Sequence, residues 1–386
     1  MAGRGDDPGA AADRPVREER RPADDEVAEV APGVLRLQLP ISLPGLGHVN
    51  CYALPDARGV ALVDPGLPGP SSWRALRHRL GQIDLDVDAV HTVVVTHSHP
   101  DHFGQARRIR QRTGARVVTH RTFRTMFDPD EDPARDEPDA VVDLDPAGRD
   151  AAADTAERTR ATATGATARA GARRGDPFGP TPWGGPAHRP PLARRLRYRA
   201  MRLAARRVLP TTRPTHRVDD ADTVELGGRG WVAVHTPGHT IDHLCLLDAD
   251  RGILLSGDHV LPTITPHISG MGITDDPLAE FFASLERVGE LGGVHTVLPA
   301  HGLVFHDLGG RAAAIRRHHE ERLELLRGAG AELGWGTVRD YTERLFQARS
   351  WGPMADSETY AHLEHLRLAG EARVRDDGPQ LRYAVG

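Results

Sequence analysis

The stretch THSHPDH, residues 96–102, directly follows HTVVV, residues 91–95. A short valine-rich run of this kind is typical of a buried strand, so the turn stands where a strand ends. His97 and His99 alternate across one residue and can face the same point, and Pro100 then bends the chain. Imidazole and carboxylate groups are ligands for zinc and similar divalent ions. The turn carries four of them: His97, His99, Asp101 and His102.

Three more ligand-type residues follow predicted strands farther along the chain, each beside a glycine. They are His239 in TPGHT, Asp258 in LLSGDH and His301 in LPAHG. Open α/β sheets place their sites at the carboxyl ends of strands, so these side chains are expected near the turn. Together the groups exceed the usual three protein ligands of one catalytic metal, which predicts two metal ions.

The motif HSHPDH, followed by TPGHT, SGD and PAHG, resembles the metallo-β-lactamase superfamily over about residues 30–310, apart from an insertion. The alternation of predicted strands and helices in this region indicates the α/β class by itself. The resemblance implies a more specific α/β fold, the αββα sandwich. In that fold two β-sheets pack face to face with helices outside, and the site lies at one edge.

The resemblance also implies a ligand set for two ions. Carried onto this sequence, His97, His99 and His239 hold the first ion, Asp101, His102 and His301 hold the second, Asp258 bridges them, and Asp64 in LVDPG orients the ligands from behind. Zinc is the expected metal, with iron or manganese as alternatives. The commonest zinc β-lactamases carry cysteine where this chain has Asp258, whereas aspartate there resembles the glyoxalase II, lactonase and nuclease branches.

A two-ion site predicts hydrolysis by a metal-bound hydroxide, because paired cations lower the pKa of a shared water and polarise the attacked group. Asp101 and Asp258 are the candidates for moving a proton to the leaving group. We predict a glyoxalase II-like hydrolase of a thioester or ester in a small anionic substrate. The alternatives are a metallo-endoribonuclease acting on RNA and a non-catalytic, metal-stabilised binding or regulatory protein. The ligand set argues against the last, because structural zinc sites are closed and usually rich in cysteine.

Changes in composition divide the chain into segments. We predict a disordered tail at 1–27, a catalytic domain at 28–310 with an insertion at 128–215, and a winged-helix-like domain at 311–386. Acidic, proline-rich and low-complexity stretches make the insertion partly disordered. Within it, residues 192–209 have the leucine spacing of a basic helix.

Two sets of residues outside the ligand motifs are candidate substrate contacts. The basic helix would favour an anionic substrate if it covered the site, through Arg194, Arg195, Arg199 and Arg202. Alternatively, it is a solvated helix whose arginines balance the acidic stretch before it. His267, nine residues after Asp258, can also lie close to the metals, or it is a loop histidine with no role.

The helix order of residues 311–386 resembles the winged-helix domain of one glyoxalase II-like branch, which includes a mammalian mitochondrial endoribonuclease. Its presumed recognition helix carries Glu358, Glu364 and Glu371 around Arg367, a poor surface for phosphates. We therefore expect this domain to pack against the catalytic domain or to form a homo-oligomer, and not to read nucleic acid.

The overall composition agrees with a protein that acts on a small molecule. The net charge is −5, from 49 basic and 54 acidic residues, so nothing global indicates nucleic acid. No stretch reaches the roughly 18 consecutive apolar residues of a membrane span, and the N-terminus has no apolar signal region. With two cysteines, Cys51 and Cys245, a disulfide framework is not supported, and a cytoplasmic location is expected.

Overall fold

The computed structural model of the chain describes residues 17–43, 45–125, 181–184, 213–272 and 274–386. Most of the predicted insertion, including the whole basic helix 192–209, lies outside these residues. So do residues 1–16 of the predicted tail. Within the described part, no helix combines the length and the apolar character needed to cross a bilayer.

The first β-sheet has seven strands in the order of the chain. The first four strands pair antiparallel, and the last four pair parallel. Parallel strands are covered on both faces, which explains why the three residues Val93, Val94 and Val95 shortly before the histidine turn are all apolar and buried. The strands are β1 Val27–Ala31, β2 Val34–Leu43, β3 Leu46–Asp56, β4 Gly59–Val63, β5 Val90–Val94, β6 Arg116–His120 and β7 His216–Val218.

The second β-sheet has five strands in the order β12-β11-β10-β9-β8. The pair β11–β12 is parallel, and the other pairs are antiparallel. The strands are β8 Thr223–Leu226, β9 Arg229–His235, β10 Leu244–Asp248, β11 Ile253–Gly257 and β12 Thr296–Pro299.

The two sheets pack face to face, and helices cover the outer faces. Because side chains alternate along a strand, Tyr52 and Leu54 of β3 point between the sheets, where they meet Trp231 of β9. Cys51 and Ala53 point the other way, toward the helices of the first outer layer. The αββα sandwich expected from the sequence is therefore confirmed. Its helices are α1 Pro70–Gly81, α2 Pro100–Phe103, α3 Ala106–Thr113 and α4 Pro277–Gly289.

The C-terminal segment consists of three helices and a small three-stranded sheet. Its apolar core is continuous with the outer face of the second sheet, since Tyr341 and Tyr383 belong to the same buried cluster as Phe281 of α4. This segment is thus packed against the sandwich, whereas its assignment as a winged helix stays a prediction. Its elements are α5 Leu308–Leu333, β13 Gly336–Thr337, α6 Val338–Leu345, α7 Pro353–Leu368, β14 Ala372–Arg375 and β15 Arg382–Val385, with the sheet order β13-β15-β14.

The N-terminal prediction is wrong for part of its range. The disordered tail was predicted to include residues 17–27, but Glu18–Arg20 forms a 3-10 helix in which Glu18 and Glu19 are buried. The carboxylate of Glu18 accepts a hydrogen bond of 2.7 Å from Gln38. The charged, proline-rich composition of this stretch concealed the contact, because composition does not show which charges have buried partners.

The inter-sheet core gives a test of the fold. Trp231 is fully buried, and Trp231→Ala should lower the free energy of unfolding by about 3–5 kcal/mol, because it leaves a cavity between the sheets. Trp351 is 39% exposed, and Trp351→Ala should cost less than about 1 kcal/mol. Urea unfolding followed by circular dichroism measures both. Equal losses would contradict the face-to-face packing around Trp231.

Candidate metal centre

The seven predicted ligands converge at one edge of the sandwich, at the carboxyl ends of strands from both sheets. They form two groups whose ligand atoms lie within 4.8 Å of one another, His97, His99, His239 and Asp258 in one, and Asp101, His102 and His301 in the other. Residues about 200 positions apart in the sequence thus meet at one point, as the strand-end motifs predicted.

The first group brings three imidazoles together. The Nδ1 atom of His99 lies 3.0 Å from His97 Nε2 and 3.2 Å from His239 Nε2. The Oδ2 atom of Asp258 lies 3.8 Å from His97 Nε2 and 3.7 Å from His239 Nε2. Nitrogen lone pairs and a carboxylate oxygen therefore face one small volume.

The second group is built around two carboxylates. Asp101 Oδ2 lies 3.6 Å from His102 Nε2 and 3.5 Å from His301 Nε2. Asp258 joins the two groups, because its Oδ1 lies 3.5 Å from His301 Nε2 while its Oδ2 faces the first group. Its Oδ2 also lies 3.6 Å from His102 Nε2, so this carboxylate lies between ligand atoms of both groups and can be shared by two cations.

The polar atoms of this centre fit divalent metal ions. His102 Nε2, His301 Nε2 and Asp258 Oδ1 are buried without a hydrogen-bond partner. Buried polar atoms almost always have a partner, so three unpartnered atoms that point into one volume indicate a ligand there. Mixed nitrogen and oxygen donors suit zinc, iron or manganese.

Asp64 anchors one ligand of each group. Its Oδ2 accepts hydrogen bonds from His102 Nδ1 at 2.9 Å and from Thr96 Oγ1 at 2.7 Å, and its Oδ1 accepts from Thr96 N at 2.8 Å. Thr96 Oγ1 in turn lies 3.0 Å from His97 Nδ1. Such contacts fix the tautomer and the direction of a ligating imidazole. The sequence resemblance implied an orienting role for Asp64, and these contacts are the observation from which that role is tested below.

Backbone carbonyls hold two of the remaining histidines. His239 Nδ1 donates to the carbonyl oxygen of His267 at 2.8 Å, and His301 Nδ1 donates to that of His48 at 3.0 Å. In both cases the Nε2 atom is left to face the centre. Sequence reasoning missed these partners because any residue type supplies a carbonyl.

The turn that carries His239 depends on a close backbone approach. Gly238 has a φ of 125°, and a Cβ atom there would lie 2.4 Å from the Cβ of Phe281 on α4. Only glycine avoids this overlap and tolerates this φ, which accounts for the glycine in TPGHT. A neighbouring histidine in the same motif, His243, accepts a hydrogen bond of 3.0 Å from the backbone N–H of Asp258. It was missed too, although its place in TPGHTIDH could have pointed to it.

Burial lowers the pKa of His97, His99 and His239, that of His99 to about 3. These imidazoles are therefore neutral near pH 7, as coordination requires. Burial also lowers the pKa of His102 and His301, but the neighbouring carboxylates outweigh it and raise both values. A cation bound there would release protons, so metal affinity should fall as the pH is lowered.

Of the predicted substrate contacts, the structure describes His267 but not the four arginines. His267 is half-buried and lies beside the centre, through the carbonyl contact with His239. Its ring Nδ1 lies 3.3 Å from a carboxylate oxygen of Glu358 on α7. The four arginines of the basic helix, Arg194, Arg195, Arg199 and Arg202, lie outside the described residues.

The predicted glutamate face of the C-terminal helix is not a single exposed surface. Glu358 is buried and forms an ion pair with Arg322 of α5. Glu364 accepts from Arg367 and from Tyr383, and Glu371 pairs with Arg327. The correction follows from packing, because helical spacing shows which residues share a face but not what covers that face.

Similarity to known proteins extends over most of the chain. A family model described as the metallo-beta-lactamase superfamily matches residues 44–327. The chain belongs to this superfamily. The match covers both sheets apart from the first strands, all of the ligand motifs and most of α5, so the family assignment does not depend on the histidine turn alone.

Solved structures of this superfamily match over nearly the full chain. A metallo-beta-lactamase family protein from Thermus thermophilus is 27% identical with a TM-score of 0.66, and the alignment covers 93% of this chain and 100% of that one. A beta-lactamase domain protein from Burkholderia ambifaria is 26% identical with a TM-score of 0.67, covering 94% and 96%.

Curated relatives match over a shorter region. The lactamase-like protein vrtG of Penicillium aethiopicum is 41% identical over 92 residues, which are 24% of this chain and 27% of that protein. The lactamase-like protein nscB of Aspergillus fumigatus is 35% identical over 107 residues, 28% of this chain and 30% of that protein. The alignments thus span less than a third of these relatives. Fold and relatives together support a metal-dependent hydrolase.

Asp64 provides a test of the ligand network. Asp64 has a φ of 54°, which asparagine also tolerates, so Asp64→Asn should keep the backbone and remove the charge behind His102. We expect zinc affinity, measured by chelator competition, to fall roughly 10–100-fold.

The matched control is Asp248→Asn. Asp248 is also buried, but it pairs with Arg229 far along the sheet from the ligand turns. This control should leave zinc affinity unchanged. Equal affinities of the Asp64→Asn protein and the unaltered protein would show that Asp64 does not act on the ligands.

Proposed function

We propose that the chain is a dinuclear zinc-dependent hydrolase of the glyoxalase II-like branch, acting on a thioester or ester in a small anionic substrate. The observation that carries this proposal is the position of Asp258, whose carboxylate oxygens lie 3.5 to 3.8 Å from ligand nitrogens of both groups. One shared carboxylate between two nitrogen-rich groups suits a pair of ions better than a single one. The anionic character of the substrate rests on the basic helix that the sequence predicts at residues 192–209.

The ligand groups would hold the ions as the sequence resemblance implies. His97, His99 and His239 surround the first position, Asp101, His102 and His301 surround the second, and Asp258 is shared. When bound, two divalent ions supply Lewis acidity and lower the pKa of a water molecule toward neutrality.

Asp101 and Asp258 are the carboxylates that can transfer the proton of the attacking water to the leaving group. Burial raises the pKa of Asp101, but the neighbouring His102 and His301 outweigh it and lower the pKa to about 2. The pKa of Asp258 is also lowered, because His301 and His102 outweigh its burial. Both groups are therefore ionised, so each must take a proton from the attacking water before delivering it to the leaving group.

The alternatives receive less support from the described residues. A closed structural zinc site would be rich in cysteine, whereas Cys51 and Cys245 are buried in the strand layers. An RNA-cleaving enzyme would need clustered basic residues for phosphate. On α7, Glu358 and Glu364 are instead engaged within the protein. We keep the division at residue 311 and the winged-helix assignment as proposals.

Removal of the shared ligand tests the two-ion proposal. Asp258→Ala should lower the metal content from about two ions per chain and reduce hydrolysis at least about 100-fold, because it removes the carboxylate that faces both groups. The control Asp250→Ala alters an exposed aspartate in the turn at the other end of β11 and should change neither quantity. Elemental analysis and thioester hydrolysis are the measurements. Absence of tightly held metal in the unaltered, reconstituted protein would overturn the proposal.

A substrate panel tests the choice of bond. We expect turnover of small anionic thioesters and esters, and little cleavage of single-stranded RNA. Because phosphate contacts make binding strongly dependent on salt, RNA binding that weakens steeply between low and moderate salt would favour the endoribonuclease. Full metal occupancy with turnover of no member of the panel would favour the binding or regulatory protein.

A further inference from the structure

The loop between β11 and α4 links the metal centre to the C-terminal segment. It runs from Asp258 to Asp276 and contains no helix or strand among its described residues. Within it, the carbonyl oxygen of His267 accepts the hydrogen bond from His239 Nδ1 at 2.8 Å. The direction of the His239 ring therefore depends on where this loop lies.

Helix α7 holds the loop at consecutive positions. Ser357 Oγ lies 3.2 Å from Ser269 Oγ, and the backbone N–H of Gly270 donates to Ser357 O at 3.2 Å. A Cβ atom at Gly270 would lie 2.5 Å from the ring of Tyr360, so only glycine allows this approach. Helix and loop are in direct backbone contact here.

The neighbouring residue of the helix, Glu358, holds the His267 side chain. Its Oε2 lies 3.3 Å from His267 Nδ1, while its Oε1 is bound by Arg322 of α5. The glutamate side chain is 11% exposed, so the pair is largely shielded from water. A buried carboxylate between two partners fixes the position of each more firmly than an exposed ion pair would.

A second helix of the C-terminal segment holds the start of the same loop. Arg311 of α5 donates to Leu261 O at 2.5 Å and to Ile264 O at 2.8 Å. The loop thus has partners from α5 and α7 where it lacks secondary structure of its own. Loops without such partners sample many conformations.

We propose that Glu358 is a positioning residue of the metal centre, which acts through His267 and its loop to aim His239 at the first ion. The C-terminal segment is then a working part of the site and not only a packing element. This inference rests on the proposed function, because it presumes that the centre holds metal. Glu358 does not touch the ligands itself, so its effect is on metal affinity and not on a chemical step.

The decisive variant is Glu358→Gln, which keeps the size of the side chain and removes its charge. Zinc affinity of the full-length chain is measured by chelator competition after metal removal. Loss of an outer partner of a ligating histidine weakens metal binding about 10–100-fold. Since Glu358 acts through one further residue, we expect about tenfold weaker binding of one of the two ions.

The same helix offers a matched control. Glu364 also binds an arginine and lies on α7, but its partners are Arg367 and Tyr383 and not the loop. Glu364→Gln disturbs a similar ion pair and should change zinc affinity less than about twofold. If both variants weaken zinc binding equally, the effect is one of general stability and the proposal is wrong.

A second variant keeps the test independent of folding. His267→Ala removes the ring that Glu358 holds but leaves the Glu358–Arg322 pair and the carbonyl that binds His239. It should reproduce the loss of zinc affinity. The protein that carries both Glu358→Gln and His267→Ala should bind zinc no more weakly than either single variant, because both substitutions break the same contact. If His267 were only a substrate contact, His267→Ala would raise KM and leave zinc affinity unchanged, which would contradict the proposal.

The outcomes separate this inference from the proposed function. An unaltered protein that binds two zinc ions, together with Glu358→Gln and His267→Ala proteins of the same affinity, overturns the role of Glu358 alone. An unaltered protein that binds no zinc overturns both. Weaker binding of one ion in both variants, with the Glu364→Gln protein unchanged, supports both.

Discussion

The carboxylate of Asp258 is buried among imidazoles from both halves of the sandwich, and the arrangement of the site follows from that burial. A buried carboxylate without compensation is strongly unfavourable. Here the charges of His301 and His102 compensate it and hold its pKa well below the usual range. Cations at the two groups would compensate it more completely, so the ligand geometry and the electrostatics indicate the same occupants.

The sandwich makes this convergence possible. The histidine turn follows strand β5 of the first sheet, while Asp258 and His301 follow β11 and β12 of the second. Asn50 of β3 joins the two sheets at this edge, because its side-chain amide donates to Pro299 O at 2.9 Å and to Gly302 O at 2.8 Å. These two hydrogen bonds hold the first sheet against residues on either side of His301 and so fix its position relative to the second sheet.

Local sequence patterns predict the α/β class and the candidate ligands, whereas the αββα sandwich and the division of the ligands between two ions follow from the family resemblance. Alternating or continuous apolar runs mark β2 to β6 and β8 to β12, and the ligands stand in short motifs directly after strands. The strands β1 and β7 were not predicted, since short edge strands depend on which neighbour they pair with. The contacts of His267 and His48 were not predicted either, because they use backbone carbonyls.

In the C-terminal segment, local sequence patterns do not predict which residues contact each other. Helical spacing predicts that Glu358 and Glu364 share one helix, but it does not show which parts of the chain cover them. The observed partners of Glu358 lie 36 and 91 residues away in the sequence, on α5 and in the loop after β11. Such a contact is set by how the layers stack, which neither composition nor periodicity encodes.

The most direct test of the account is the anomalous scattering of a crystal of the zinc-loaded protein, recorded at the zinc absorption edge. The account predicts two peaks about 3.5–4 Å apart. One should lie among His97, His99 and His239, and the other among Asp101, His102 and His301, with Asp258 between them. A single peak, or peaks away from these side chains, would contradict it.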